Sequence, residues 1–348
     1  MFIKNREIGE GKPTYIIAEM SANHAGSIEH AKEIVHAAKE AGADCIKIQT
    51  YTADTITLNC NNKYFHIDDG TWQGENLYHL YEKAYTPWEW QAELKALADK
   101  LQIDMFSTPF DKTSVDFLEE IGMDFYKIAS FELVDIPLIE YVASKKKPII
   151  MSTGMGTVEE IEEAVSTIRK YHNEIALLKC SSAYPAITDQ MNLATMVDMK
   201  KRFGVEVGLS DHSMGSLGAV IAVAMGASVI EKHFCISREV ENPDSSFSME
   251  PDEFANMVKD IRACELAKGN ISYGPTPQES SNVGFRKSIF VSADIKAGET
   301  FTEDNIRVVR PAYGMKPKYY KDVLGKTATC DIGFGTPLKE DMVKGYEG

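Results

Sequence analysis

Eight short apolar runs recur along the first two-thirds of the chain, and each closes on polar residues. They are 15–19 (YIIAE), 45–49 (CIKIQ), 105–108 (MFST), 125–130 (FYKIAS), 148–153 (PIIMST), 175–181 (IALLKCS), 205–212 (VEVGLSDH) and 229–233 (VIEKH). Their length and their Ile, Val and Leu content predict buried parallel strands. Between them the apolar positions switch to a spacing of three and four. This predicts helices over 28–41, 88–101, 114–121, 158–171 and 217–225, with a last one near 252–267. The repeat averages about 27 residues, the size of one βα unit. The expected fold is therefore α/β, a (β/α)8 TIM barrel. A doubly wound open sheet fits less well, because the units run in series without a glycine-rich phosphate loop.

Seven side chains near the ends of these runs have no use inside a strand: Glu19, Lys47, Lys127, Lys179, Asp211, His212 and His233. A parallel barrel delivers the C-terminal ends of all its strands to one rim, where active sites are built. The pattern that predicts the fold thus also gives the address of the chemistry.

Two stretches break the repeat. Segment 50–87 is far longer than the other connections and carries Tyr64, Trp72, Tyr78, Tyr81 and Tyr85. It is either a lid or wall of the site, or a surface excursion with its own small cluster. Past residue 268 the chain becomes rich in Gly, Pro, Ser and Asn, then alternates short β-like runs with turns. The expected organisation is a barrel domain over 1–268, a linker over 269–284 and a small β-rich module over 285–348. So small a module has a limited core.

Composition narrows the function classes. With 52 acidic against 37 basic residues the formal net charge is -15, which argues against a nucleic-acid partner. No apolar run reaches the length of a signal peptide or a membrane span, so no membrane association is expected. The six cysteines are scattered without a CxxC pair and read as reduced thiols of a cytoplasmic protein.

The candidate chemistry falls into three groups. His212 and His233 end neighbouring strands; with water and substrate oxygens they would form an open site for Mn2+ or a similar divalent ion. Asp211 and Glu231 are near enough in sequence to orient those imidazoles. The alternative is one ordinary rim histidine and one core histidine. Lys47, Lys127 and Lys179 on alternate strands suggest a local positive pocket for a phosphate or carboxylate. The hydroxyls of Thr108, Ser130, Ser152, Thr153, Ser181 and Ser210 lie at matching depth. Glu19 and Glu132, at the ends of strands one and four, are either proton-transfer groups or salt-bridge partners of these lysines.

Other features carry less. The turn 21–26 (SANHAG) would bind sugar hydroxyls or cap a helix at Ser27. The turn Gly154-Met155-Gly156 could offer backbone N–H groups to phosphate, without being a nucleotide motif. Cys180 has no histidine beside it in sequence and reads as a buried thiol.

Taken together, these segments resemble the sialic acid synthase family of phosphoenolpyruvate-condensing enzymes. The matching stretches are IIAEMSANHAGS (16–27), IKIQT (46–50), FSTPF (106–110), YKIASFE (126–132), STGM (152–155), GLSDHS (208–213) and EKHF (231–234). The module, with VRPAYG (309–314), is similar to the family's antifreeze-like (SAF) domain. Within the family, SANHAGS, QTYTADTITLN and LKCSSAYPA depart from the INHEG, GSGE and CTNIYP typical of N-acetylneuraminate synthases. Ser182 stands for an asparagine there and Phe131 for a glycine, which speaks against N-acetylmannosamine as the acceptor; an N-acetylneuraminate or legionaminic acid synthase using a manno-configured acceptor is the alternative.

The resemblance implies condensation of phosphoenolpyruvate with an open-chain 2,4-diacetamido-2,4,6-trideoxyhexose of altro configuration, releasing phosphate. It implies Mn2+ on His212 and His233, with Mg2+ or Co2+ as alternatives. Lys127, Thr108, Ser130, Ser152, Ser182 and Ser210 would cradle phosphoenolpyruvate, with Lys47 and Lys179 adding charge. Glu132 would handle the proton, and Asp211 would join Glu19 and Lys127 in the catalytic set. Glu19, Gln49, Tyr184 and Asp244 would face the sugar. A domain-swapped homodimer would bring Arg310 and Phe285 of one chain to the barrel of the other. A non-catalytic sugar-binding scaffold would have no reason to keep Glu19, Lys47, Lys127, Glu132, His212, His233 and Arg310 together.

Overall fold

The computed structural model describes residues 1–346, and the chain divides into two compact units, Met1–Gly269 and Asn270–Gly348. In the first, all eight apolar runs form strands: β1 (Tyr15–Glu19), β2 (Cys45–Thr50), β3 (Asp104–Pro109), β4 (Tyr126–Ile128), β5 (Ile149–Ser152), β6 (Ile175–Cys180), β7 (Glu206–Asp211) and β8 (Val229–His233). They pair in parallel and close into a barrel, with β8 bonded to both β7 and β1.

Eight helices surround it: α1 (Ile28–Glu40), α2 (Trp88–Leu101), α3 (Lys112–Glu120), α4 (Ile136–Ser144), α5 (Val158–Arg169), α6 (Ala194–Phe203), α7 (Leu217–Ala224) and α8 (Pro251–Lys268). The periodicity did not single out α4 and α6. The first has a proline in its opening turn, where the missing N–H costs nothing. The second mixes its apolar stripe with Lys200, Lys201 and Arg202. Local signals set several helix starts: the Ser27 side chain accepts from His30 N, and Asp111 and Thr157 form capping boxes at α3 and α5.

Strand alternation sorts the residues into two layers. One parity packs outward onto the helices, with Ile16, Ile46, Met105, Ile128, Leu177 and Ile230 in the large core cluster. The other points into the barrel, where Tyr15, Ile17, Cys45, Phe106, Phe125 and Leu178 fill its lower half. Phe106 and Phe125 stack there at 4.3 Å. A short hairpin, Phe2–Ile3 with Arg6–Glu7, adds Ile3 and Ile8 to this cluster and closes the bottom. Each such buried side chain contributes roughly 1.5–3 kcal/mol. The filled lower half leaves the inward positions at the C-terminal ends of the strands for polar groups.

Segment 50–87 is not a bare loop. It contains two short helices, Ala53–Ile56 and Leu77–Ala84, the first with a capping box at Thr52.

The second unit pairs β9 (Ser288–Val291) with β10 (Ile306–Val309) antiparallel. Isolated bridges such as Ile295–Ile332 and Ala328–Val343 supply the rest of its β structure. Its core is small, built on Ile289, Phe301, Ile306, Val323 and Leu338. Residues 270–284, expected as a linker, fall with this unit and are mostly exposed, ending in the 3-10 turn Ser280–Phe285. Among the described residues no helix is long and apolar enough to cross a membrane.

Candidate active site

Inward parity continued above the apolar layer explains which groups meet. On β2, Lys47 and Gln49 share the parity of Cys45; on β8, Glu231 and His233 share that of Val229; on β4, Lys127 follows Phe125. These side chains line a cavity of about 460 Å3 at the C-terminal mouth of the barrel. Its floor is an ionic lattice. Lys47 Nζ lies 3.1 Å from Glu19 Oε2 and 3.2 Å from Glu231 Oε1. Lys127 Nζ donates to Ser152 Oγ at 2.6 Å and stands 3.5 Å from the same Glu231 oxygen, to which Ser210 Oγ also donates at 3.1 Å.

Burial and pairing set the protonation states. Burial would raise Glu231, but Lys127 and Lys47 overcome it and hold its carboxyl well below the usual range. Burial raises Glu19, which Lys47 only partly offsets while the Glu231 charge adds to the rise. The Lys127 ammonium is lowered by burial, against the pull of Glu231. Lys47 is raised, because its two carboxylates outweigh burial. Two ammonium groups, the serine hydroxyls and Thr108, 3.5 Å from Lys47, can therefore receive an anion at depth.

Lys179 does not belong to this floor. It has the parity of Ile175 and Leu177, points away from the cavity and donates to the Cys180 carbonyl at 2.9 Å. The expected triad of lysines is a pair. Asp211 also points outward, where it binds Lys232 at 2.8 Å, so it neither lines the cavity nor reaches an imidazole. Glu132 sits one turn beyond β4, in the 3-10 turn Ser130–Val134, rather than at the strand end. It still lines the cavity, its Oε2 is buried without a partner, and burial pushes its carboxyl up to about 7.

Gly154 follows from close packing: a Cβ there would stand 2.2 Å from Ser182 Oγ and 2.7 Å from Ser130 Oγ. Its N–H donates to Ser130 at 3.1 Å, so that turn positions hydroxyls and does not offer a free amide there.

The two histidines face each other across the mouth with ring centroids 5.4 Å apart. His212 Nδ1 donates to the Ser181 carbonyl at 2.9 Å, which leaves Nε2 as the free donor atom. Burial, with His212 and Lys47 nearby, holds His233 well below its ordinary value and neutral, and its Nδ1 is buried without a partner. A neutral imidazole beside one fixed through Nδ1 fits an open divalent-ion site. Among the described residues no group of three or more His, Cys, Asp or Glu side chains gathers around a common point. Other ligands would be water and substrate oxygens.

Further contacts complete the site, and segment 50–87 takes the first of its two expected roles, a wall. Cys180 Sγ lies 3.8 Å from His212 Nδ1; burial raises the thiol, and His212 in its protonated form, which has no free Nε2 lone pair, overcomes this to bring it to about 7. Segment 50–87 forms one wall, with Ile67, Trp72, Leu77, Leu80 and Tyr81 on the cavity. Trp72 Nε1 donates to the Pro243 carbonyl at 2.9 Å and its ring meets Tyr184 at 5.4 Å. Tyr184 in turn lies over His212 at 4.2 Å.

At the end of β2 Gln49 Nε2 donates at 2.9 Å to both Glu19 Oε1 and Ser21 Oγ. Asp244, raised by burial, accepts from Ala22 N at 3.2 Å. Phe285 and Arg310 belong to the second unit, where both are exposed.

Known proteins share this architecture. The NeuB family model matches residues 34–273 and the SAF domain model residues 286–344. The pseudaminic acid synthase of Campylobacter jejuni (strain 81-176) is 47% identical over 94% of this chain and 96% of its own length. The N,N'-diacetyllegionaminic acid synthase of Legionella pneumophila is 35% identical over 96% of this chain and 97% of its own. The solved N-acetylneuraminic acid synthetase of Leptospira borgpetersenii superposes with a TM-score of 0.73 at 31% identity, over 81% of this chain and 94% of that one. By the match to its family model, and with a barrel closed below and polar above, the chain belongs to the NeuB family, the sialic acid synthases, and carries a C-terminal SAF domain.

Proposed function

We propose that this enzyme condenses phosphoenolpyruvate with the open-chain aldehyde of 2,4-diacetamido-2,4,6-trideoxy-altrose and water, giving pseudaminic acid and phosphate. The observation that carries this reading is the floor made by Lys47, Lys127 and Ser152, set below the facing pair His212 and His233 in one cavity. An anionic substrate at the floor and an aldehyde at the histidines would be brought into reacting distance. The 47% identity to a pseudaminic acid synthase, against 35% to a legionaminic acid synthase, favours the altro acceptor over a manno-type one.

In this reading C3 of phosphoenolpyruvate attacks the aldehyde carbon, water adds at C2, and the C2–O bond to phosphate breaks. Lys127, Ser130, Ser152 and Ser210 hold the anion, with Lys47 and Thr108 beside them and Ser182 packed on Gly154. Glu132, with its carboxyl near 7, takes or returns the proton of the added water. Gln49, Glu19, Tyr184 and Asp244 meet the sugar. A divalent ion on His212 and His233, Mn2+ foremost with Mg2+ or Co2+ as substitutes, would polarise the aldehyde oxygen and stabilise the alkoxide.

The reading includes a cytoplasmic homodimer in which the SAF domain of one chain covers the barrel mouth of the other and brings Arg310 and Phe285 to the sugar. Exposed apolar residues on the rim loops, among them Phe131, Met155 and Met214, support a covering partner.

The test is phosphate release from phosphoenolpyruvate with altro-, manno- and bacillosamine-type 2,4-diacetamido acceptors, each with and without divalent ion. We expect the altro acceptor to give a kcat/KM at least about tenfold above the others, and chelation to abolish turnover. Preference for a manno acceptor would assign the enzyme to legionaminic or N-acetylneuraminic acid synthesis instead.

A further inference from the structure

Directly outside the barrel wall, behind the two histidines, lies an ion pair that the proposed reaction does not use. Asp211 and Lys232 are in register on β7 and β8, and they are the residues that immediately precede His212 and His233. Alternation turns the histidines inward, so their neighbours turn outward into the layer between strands and helices. The two charged side chains are 0% and 1% exposed and meet at 2.8 Å.

Both are almost fully used in hydrogen bonds. Asp211 Oδ1 accepts from Ser213 N at 2.9 Å and Ser213 Oγ at 2.6 Å, while Oδ2 accepts from Lys232. Lys232 Nζ also donates to the Ser213 carbonyl. The residue before His233 is therefore tied to the residues on both sides of His212. Helix α7 is shaped around this cluster. A Cβ at Gly218 would stand 2.6 Å from Met191 Cε, 3.2 Å from Ser213 Oγ and 3.3 Å from Asp211 Oδ2.

A buried ion pair of this kind is weak evidence for stability, because well-packed apolar residues often serve the core as well or better. What apolar residues cannot do is fix two strand ends in one mutual position through directional bonds. Main-chain hydrogen bonds hold the register of β7 and β8 only up to these residues. Beyond them the ladder between β7 and β8 ends: His233 stays paired with Glu19 of β1 and the His212 carbonyl accepts from Ala186 N, so the two histidines are tied to different neighbours.

We propose that the Asp211–Lys232 pair is a clamp that sets the separation and aim of His212 and His233, and thereby the affinity and selectivity of the divalent-ion site. The two residues are positioning residues and touch neither ion nor substrate. This inference rests on the reading that His212 and His233 hold the ion.

The experiment measures Mn2+ dissociation constants of the metal-free full-length protein by electron paramagnetic resonance titration, together with melting temperature, kcat at saturating Mn2+ and KM for phosphoenolpyruvate. Two variants are used. Asp211→Asn weakens the pair. Asp211→Glu keeps both charges and the ion pair but moves the carboxylate by one methylene, so it remains informative if the first does not fold. Loss of a direct hydrogen-bond partner of a metal ligand weakens affinity by roughly tenfold to a hundredfold, and Asp211, which acts on the imidazoles only through the strand ends, should reach the lower end of that range.

We expect a weakening of that order in each folded variant, with kcat largely restored at saturating Mn2+ and KM for phosphoenolpyruvate unchanged. The Mn2+ to Mg2+ preference of Asp211→Glu should also shift. Folded variants that bind Mn2+ as the unaltered enzyme does would overturn the clamp. His212→Ala and His233→Ala separate this failure from the other: if they too bind Mn2+ unchanged, the metal reading itself falls.

Discussion

Glu231 holds Lys47 at 3.2 Å inside the barrel, with both side chains about 5% exposed. The contact keeps a second charge in order as well, because the same carboxylate oxygen lies 3.5 Å from Lys127. Burial lowers Lys127, and the attraction of Glu231 is the main force keeping it protonated. Glu231→Gln removes that force, so the Lys127 pKa falls further. If Lys127 binds phosphoenolpyruvate as proposed, the anion needs the ammonium form, and the alkaline limb of kcat/KM for phosphoenolpyruvate should move to lower pH in the variant. A pH profile of phosphate release with an unmoved limb would show that Lys127 does not depend on Glu231.

In the proposed reaction Glu132 couples activity to stability with opposite signs. Its carboxyl is raised by burial from 4.5 to about 7, so the folded state binds its proton more tightly than the unfolded chain does. The resulting stabilisation is complete below 4.5 and is lost as pH rises through 7; above that, the buried charge costs about 3 kcal/mol. Glu132→Gln should therefore raise the melting temperature at pH 8 while leaving it near the parent value at pH 4.5. If the ionised carboxylate acts on the proton of the added water, kcat of the parent enzyme falls as pH drops below about 7. The variant should lose roughly a hundredfold or more of kcat together with that acid limb. Retained turnover would remove Glu132 from the proton path.

Much of this architecture is legible in the sequence, for a physical reason. A parallel strand buried on both faces must be a short, continuous apolar run, so the strands announce themselves, and the polar residues ending them mark the rim. Which of those residues enter the cavity depends on parity, and parity shifts with a one-residue change in where the run is taken to begin. Lys47 and Lys127 fall on the inward set and Lys179 on the outward one, though all three read alike as strand-end lysines. The same rule separates Asp211 from Glu231: the carboxylate two positions before His233 points in, while the one immediately before His212 points out. Cys180 and His212 are 32 positions apart in the chain, and only the closure of β6 against β7 brings them to 3.8 Å. Segment 50–87 carried an aromatic signal but no period, so its part in the wall rests on long-range contacts such as Trp72 with Pro243.

That wall should govern the acceptor and not the anion. Trp72, bonded to the Pro243 carbonyl, anchors Tyr184 over His212 in the cavity wall. Truncation in Trp72→Ala removes both an apolar surface and the support for the Tyr184 ring, a loss on the order of 1–2 kcal/mol for an aromatic contact of this kind. We expect kcat/KM for the sugar to fall about tenfold, with KM for phosphoenolpyruvate within about twofold of the parent. Steady-state kinetics varying each substrate in turn distinguishes this from general damage, which would move both constants.

The swapped cap makes a prediction that no single chain can satisfy. If Arg310 acts on the barrel of its partner, a chain carrying Arg310→Ala still has a sound barrel, and a chain carrying Glu132→Gln still has a sound cap. Each variant alone forms dimers whose sites all lack one group, and each should be nearly inactive on the sugar. Chains co-expressed and allowed to pair at random give mixed dimers in half the population. In each mixed dimer one of the two sites combines an intact Glu132 with an intact Arg310, so activity should return to about a quarter of the parent value, as expected for a symmetric dimer with shared sites. Phosphate release by the purified mixture, normalised to chain concentration, measures it. Activity no greater than the mean of the two singly substituted enzymes would mean that Arg310 serves its own barrel or none, and the domain-swapped arrangement would fail with it.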